Sequence, residues 1–148
     1  MRERVEQDLR DARLARDQLT LTTLGLLKSE IVQADKEPGS GGRVGDDALL
    51  RIVRREVKRR AEAATAFSAG GRDAAAQKEL AESEILARYL PPEASEEDVE
   101  AAVKAAIAAT QAASPRDLGR VMKAAGEALG GGADGGRIAA VARRLLGA

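Results

Sequence analysis

Beyond residue 100 the chain carries Lys104, Arg116, Arg120, Lys123, Arg137, Arg143 and Arg144 against only Asp117, Glu127 and Asp134. With the acidic run Glu96 to Glu100 set aside, this is a local excess of four positive charges. Clustered Lys and Arg neutralise phosphate and release its counterions. Arg116, Arg120, Lys123, Arg137, Arg143 and Arg144 are therefore the candidate phosphate contacts. Free backbone donors at the starts of the helices expected after Ser114 and Asp134 would assist them. A secondary basic patch lies in RIVRREVKRR, residues 51–60, where six of ten side chains are basic. A helix there brings Arg51, Arg55, Lys58 and Arg59 near one another on its exposed side. The plainer reading of that patch is a solvated face whose arginine stems cover core edges. The sharper one is contact with phosphate or an acidic partner, diluted by Glu56 and Glu62.

Other chemistry is poorly provided for. The sequence has no Cys and no His, so it lacks a thiol nucleophile and the commonest general base and nitrogen ligand for metals. Its Asp and Glu alternate with Arg and Lys as on solvated helix faces, without a grouping that would do acid–base or metal work. The glycines of PGSGGRVG, residues 38–45, lack the GxxxxGK[ST] pattern and a preceding strand, so they read as a linker rather than a phosphate loop. Lysine plus arginine and aspartate plus glutamate balance at 24 each, unlike the strong basic excess of a generic polyanion binder. No catalytic residue, cofactor or metal is expected. No segment approaches the roughly 18 apolar residues of a membrane span, and MRERVEQDLRD lacks the apolar run of a secretory signal. A soluble, cytoplasmic protein is expected.

Helices must position the basic residues. Of the 148 residues 44% are apolar, but many are Ala and only two are aromatic, so the core is thin and suits close helix packing. Tyr89 to Asp98, YLPPEASEED, organises the chain. Two prolines end one helix near Leu90, and Ser95 with Asp98 has the spacing of a capping box for the next. The expected fold is all-α. An N-terminal four-helix domain (1–90) contains the flexible 38–45 linker, a joint covers 91–95, and a three-helix tail domain covers 96–148.

The first helix is expected from about Glu3 to Arg16, with a turn at Asp17 to Thr20. The second buries Leu21, Leu24, Leu27 and Ile31, widened by Leu26. The third runs from Asp46 to Ala69 with Leu49, Val53, Val57, Ala61, Ala64 and Phe67 inward, and Gly70–Gly71 ends it. The fourth extends from Asp73 to Leu90 with Ala76, Leu80, Leu86, Ala87 and Leu90 inward, and Tyr89 packs at the edge of a crease between the domains. The fifth covers Glu96 to Thr110 and buries Val99, Val103, Ala106 and Ile107. Ser114-Pro115-Arg116-Asp117 starts the sixth, with Leu118, Val121, Met122, Ala125 and Leu129 packing. Asp134 caps the seventh, which carries Ile138, Val141, Leu145 and Leu146.

LLKSEI (26–31), REVKRR (55–60), RYLP (88–91), DLGRVMKAA (117–125) and GGADGG (131–136) together resemble the GatB/YqeY family over approximately residues 2 to 146. The resemblance implies a stand-alone helical protein. Related helical and tail domains end the B subunit of the glutamine-dependent aspartyl/glutamyl-tRNA amidotransferase, where the tail contacts the tRNA body and amide transfer occurs in domains missing here. A non-catalytic, tRNA-associated binding module is thus the expected function. Gly131, Asp134 and Gly135 match the family's Gly-Arg-Ala-Asp-Gly turn and would shape that loop, whereas Gly132 stands where the family has a basic residue. A protein–protein adaptor without a nucleic-acid role is the alternative. Carbon–nitrogen ligase activity with glutamine as amido-N-donor would arise only as an accessory to a larger complex.

Overall fold

The computed structural model describes residues 1–147; the expected end of the tail domain at residue 148 lies outside them. Among these residues are seven α-helices: α1 Arg2–Ala15, α2 Gln18–Lys36, α3 Asp46–Ala69, α4 Asp73–Ala87, α5 Glu96–Thr110, α6 Leu118–Ala128 and α7 Gly135–Leu146. A 3₁₀ turn, Pro115–Asp117, precedes α6. The fold is all-α. The chain divides into two compact units, Met1–Leu90 and Pro91–Ala148, each with its own core.

In the first unit α1–α4 enclose Val5, Leu24, Leu27, Ile31, Leu49, Val53, Ile85 and Leu86. Within the expected turn at Asp17 to Thr20, α2 already begins at Gln18. Arg16 adopts φ 57°, and the Asp17 carboxylate then caps α2 by accepting from Thr20 N at 3.0 Å. The Thr20 hydroxyl and backbone donor hold that carboxylate below its usual range. Helix α4 ends at Ala87, three residues short of expectation. Leu26, Ala61, Leu80 and Ala87 were expected inward, and all four are exposed. Ile52, Ile85 and Tyr89 are buried in the same core.

The largest departure is polar. Glu56, Arg60 and Glu82 are 5%, 6% and 7% exposed, so these charges do not lie on a solvated face. Arg60 Nη1 donates to Glu56 Oε2 at 2.8 Å, and Arg60 Nε to Glu82 Oε2 at 3.1 Å, joining α3 to α4. A guanidinium satisfies two carboxylates because its donors are rigidly forked.

Residues 38–45 contain turns and are fastened to the helices. Asp35 Oδ1 accepts from Val44 N at 2.8 Å, and Ser40 Oγ donates to the Asp35 carbonyl oxygen at 2.6 Å. Arg2 donates to both Asp35 oxygens, at 2.8 and 2.7 Å, and to the Val44 carbonyl oxygen at 3.0 Å.

In the second unit α5, α6 and α7 bury Val99, Val103, Ala106, Val121, Ala125, Ile138, Val141 and Ala142. The capping box at α5 is complete. Asp98 N donates to Ser95 Oγ at 3.1 Å and Ser95 N to Asp98 Oδ2 at 3.2 Å. Gly131, at φ 85°, turns the chain between α6 and α7 in a conformation that disfavours any side chain. Asp134 then caps α7, accepting from Arg137 N at 2.9 Å.

Candidate nucleic-acid interface

The six candidate phosphate contacts of the tail fall into two groups. Arg120, Arg137 and Arg144 are engaged within the unit, whereas the side chains of Arg116, Lys123 and Arg143 make no hydrogen bond or ion pair among the described residues.

The first group is held by carboxylates. Arg137 projects from the first turn of α7 toward the segment before α5. It donates from Nη1 to Glu93 Oε1 at 3.0 Å, from Nη2 to Glu96 Oε1 at 2.6 Å, and from Nη2 to the Ala94 carbonyl oxygen at 2.9 Å. Its side chain is 23% exposed. The Glu96 contact raises its pKa further. Arg144, one to two turns later on α7, donates to Glu100 Oε2 at 2.7 Å. Lys104 Nζ lies 2.7 Å from the other oxygen of that carboxylate. These two cations, Lys104 first, pull the Glu100 pKa down to about 2. Setting the start of α5 aside therefore misjudges the tail. Residues 91–148 hold seven basic and eight acidic side chains, and the acids of α5 pair with the bases of α7.

Arg116 and Lys123 of the second group flank Arg120 at the start of α6. Asp117 accepts from Ala113 N at 3.0 Å and Ser114 N at 3.1 Å, and Arg120 donates to its other oxygen. The Arg120 hydrogen bond is the main cause of an Asp117 pKa of about 2. Arg120 also donates to the Thr110 carbonyl oxygen at 3.3 Å, tying the end of α5 to the start of α6. Arg120 and Lys123 stand three apart on α6, and Arg116 lies in the 3₁₀ turn that leads into it, four residues before Arg120. Arg116 and Lys123 are exposed and unpaired, while Arg120 is exposed and paired with one carboxylate. Arg143 is exposed and unpaired near the other end of α7.

A shallow depression of about 430 Å³ between α5 and α7 is lined by Glu96, Glu97, Glu100, Lys104 and Arg144. Three carboxylates against two cations make it unsuited to phosphate. Gly131 takes a positive φ, Asp134 caps α7 and Gly135 is the first residue of that helix. Gly132 has a second role. Its carbonyl oxygen accepts from Ala94 N at 2.7 Å, and a Cβ there would sit 3.1 Å from the Pro92 carbonyl oxygen and 3.2 Å from that of Leu129. The 91–95 segment packs where a side chain at 132 would begin.

On α3, Arg51, Arg55, Lys58 and Arg59 are all exposed. Arg55 pairs with Glu30 at 2.6 Å and Lys58 approaches Glu62 at 3.8 Å, whereas Arg51 and Arg59 have no side-chain partner among the described residues. Aromatic side chains offer nothing for base stacking. Tyr89 is buried against α1, donating to the Asp8 carboxylate with Arg4 over its ring at 4.9 Å, and Arg72 lies over Phe67 at 4.8 Å. No group of three or more His, Cys, Asp or Glu among the described residues could hold a metal ion, and no helix there is long and apolar enough to cross a membrane.

The family profile described as Yqey-like protein matches residues 2–146. The chain belongs to the YqeY-like family. No curated protein matches it. This YqeY-like chain thus combines a family match over residues 2–146 with a tail in which Lys104, Arg120, Arg137 and Arg144 are internally engaged, while Arg116, Lys123 and Arg143 have no side-chain partner among the described residues.

Proposed function

We propose that this YqeY-like chain is a non-catalytic, tRNA-associated binding module of the cytoplasm that contacts phosphate through the start of α6. The observation that carries this reading is the exposed pair Arg116 and Lys123, without a side-chain partner among the described residues, flanking Arg120 at the start of α6. Arg143 is a further contact at the far end of α7. Arg137 and Arg144 act chiefly in holding α7 to α5. Recognition is of backbone and shape, since the tyrosine is buried and the phenylalanine is covered by an arginine. The family's relation to the tail of the amidotransferase B subunit supports tRNA as the ligand.

The test is a titration of the purified protein with unmodified tRNA, with an unstructured RNA of equal length in parallel. Saturable binding that prefers tRNA and weakens in R116Q/K123Q supports the proposal. Equal affinity for both RNAs, or an unaffected variant, refutes it. A protein adaptor is the second reading, favoured by Leu14 at 84% exposed and by exposed Leu26 and Leu80, all in the first unit. It predicts a stoichiometric protein complex that survives nuclease.

A further inference from the structure

The burial of Glu56 and Arg60 changes what α3 shows to solvent. In sequence the run RIVRREVKRR reads as a basic stretch diluted by an acid. In the fold Glu56 turns inward with Arg60 and Glu82, so acid and base leave the surface together. Between Arg51 and Arg59 the exposed residues of α3 are then all cations: Arg51, Arg55, Lys58 and Arg59. Their spacing keeps them on one side of the helix over about 12 Å of rise. The next acid along the helix, Glu62, lies beyond them and approaches only Lys58.

We infer that this face of α3 is a second polyanion-binding surface, on the first unit, that takes the phosphate backbone of structured RNA. Two features favour phosphate over an acidic protein. The face is arginine-rich, and the guanidinium fork matches phosphate oxygens. It also carries no apolar anchor, because Leu49, Ile52, Val53 and Ala64 all turn inward and the exposed large apolar side chains belong to α1, α2 and α4. Protein interfaces draw most of their affinity from buried apolar and aromatic anchors. Among the described residues, an incoming phosphate competes with Glu30 at 2.6 Å and Glu56 at 3.5 Å for Arg55, and with Glu62 at 3.8 Å for Lys58. The surface does not depend on the α6 contact.

The experiment measures salt dependence of binding by the full chain to tRNA and, separately, to a short RNA duplex without a tRNA elbow. In R51Q/R55Q/K58Q/R59Q the slope of log affinity against log salt is expected to fall in magnitude by about 3 for both RNAs, with at least about tenfold weaker binding at low salt. The charge-retaining R51K/R55K/R59K keeps the slope. Should the fourfold variant lose helicity, R51Q/R59Q removes only the two cations without partners, and the slope falls by about 2. A slope unchanged in these variants but reduced in R116Q/K123Q overturns the α3 surface and leaves the α6 reading standing. The reverse pattern supports α3 and overturns α6. A wild-type chain that binds neither RNA at low salt overturns both.

Discussion

Arg144 Nη2 donates to Glu100 Oε2 at 2.7 Å, so the last turns of α7 share their charge with the acidic start of α5. The apparent basic surplus of the tail is internally compensated there, and the same holds for Arg137 with Glu93 and Glu96. What remains for an external anion in the tail is the start of α6, together with Arg143 near the end of α7.

Releasing that compensation should strengthen RNA binding. Glu100→Gln removes the charge shared by Arg144 and Lys104 while keeping a hydrogen-bonding side chain of the same size. The fold should tolerate it, because exposed pairs contribute little. The salt slope for tRNA is expected to steepen by about 1 for each cation that then reaches phosphate. An unchanged slope would mean that neither Arg144 nor Lys104 faces the RNA.

Neighbouring arginines on α3 should respond very differently to mutation. Arg60→Leu leaves Glu56 and Glu82 buried without their cation and is expected to cost about 3–5 kcal/mol in urea denaturation. Arg59→Gln, one residue away and exposed without a side-chain partner, should change stability by no more than about 0.5 kcal/mol. Similar losses in both variants would contradict the buried Glu56–Arg60–Glu82 arrangement.

That arrangement also marks where sequence reading ran out. The bounds of α3 and α5 were legible because their signals are local: Gly70–Gly71 after one, Ser95 with Asp98 before the other. The cap at Asp134 was legible for the same reason. The burial of Glu56 and Arg60 on α3 was missed because hydropathy treats every Arg and Glu as outward. Yet Leu49, Val53, Glu56, Arg60 and Ala64 follow one helical stripe at spacings of four, three, four and four, and that register was the available signal. Leu26 and Leu80 failed the other way, as apolar residues beside a stripe already complete. The pairing of Arg137 with Glu93 and Glu96 spans more than forty positions, and nothing local announces it.

Gly132 should resist any side chain. A side chain meets two carbonyl oxygens and Ala94 Cβ at 3.1–3.3 Å, backbone and Cβ atoms rather than flexible side-chain ends. Gly132→Ala is expected to cost about 1–3 kcal/mol by overpacking. Calorimetry of the two proteins checks this, and an equal or higher Tm in the variant would show that the 91–95 segment yields freely.

Stability should be flat around neutrality and fall in acid. Asp117 and Glu100 titrate at about 2 in the folded chain, against ordinary values of 3.8 and 4.5. The unfolded chain takes up protons on them first, so their contribution is full above the ordinary range and is lost as pH falls through about 2. With no histidine, no side chain has an ordinary pKa between about 5 and 8. Thermal melts should agree from about pH 5.5 to 8 and shift downward below about pH 4.5. At the alkaline end, burial and then the Asp8 hydrogen bond push the Tyr89 phenol above its ordinary 10.0. Its contribution is full below that value and is lost as pH rises through the folded pKa. Ultraviolet absorbance, which reads this single tyrosine, should show no ionisation at pH 10 in the folded protein. Ionisation there would contradict the Tyr89–Asp8 contact.

The most direct test of the central claim is the salt dependence of tRNA binding by the unaltered chain beside R116Q/R120Q/K123Q. Three phosphate contacts at the start of α6 predict that the variant's slope of log affinity against log salt is smaller in magnitude by about 2 to 3, with affinity reduced about equally across RNA sequences. An identical slope in the two proteins, or a loss confined to particular sequences, would contradict phosphate contact at α6.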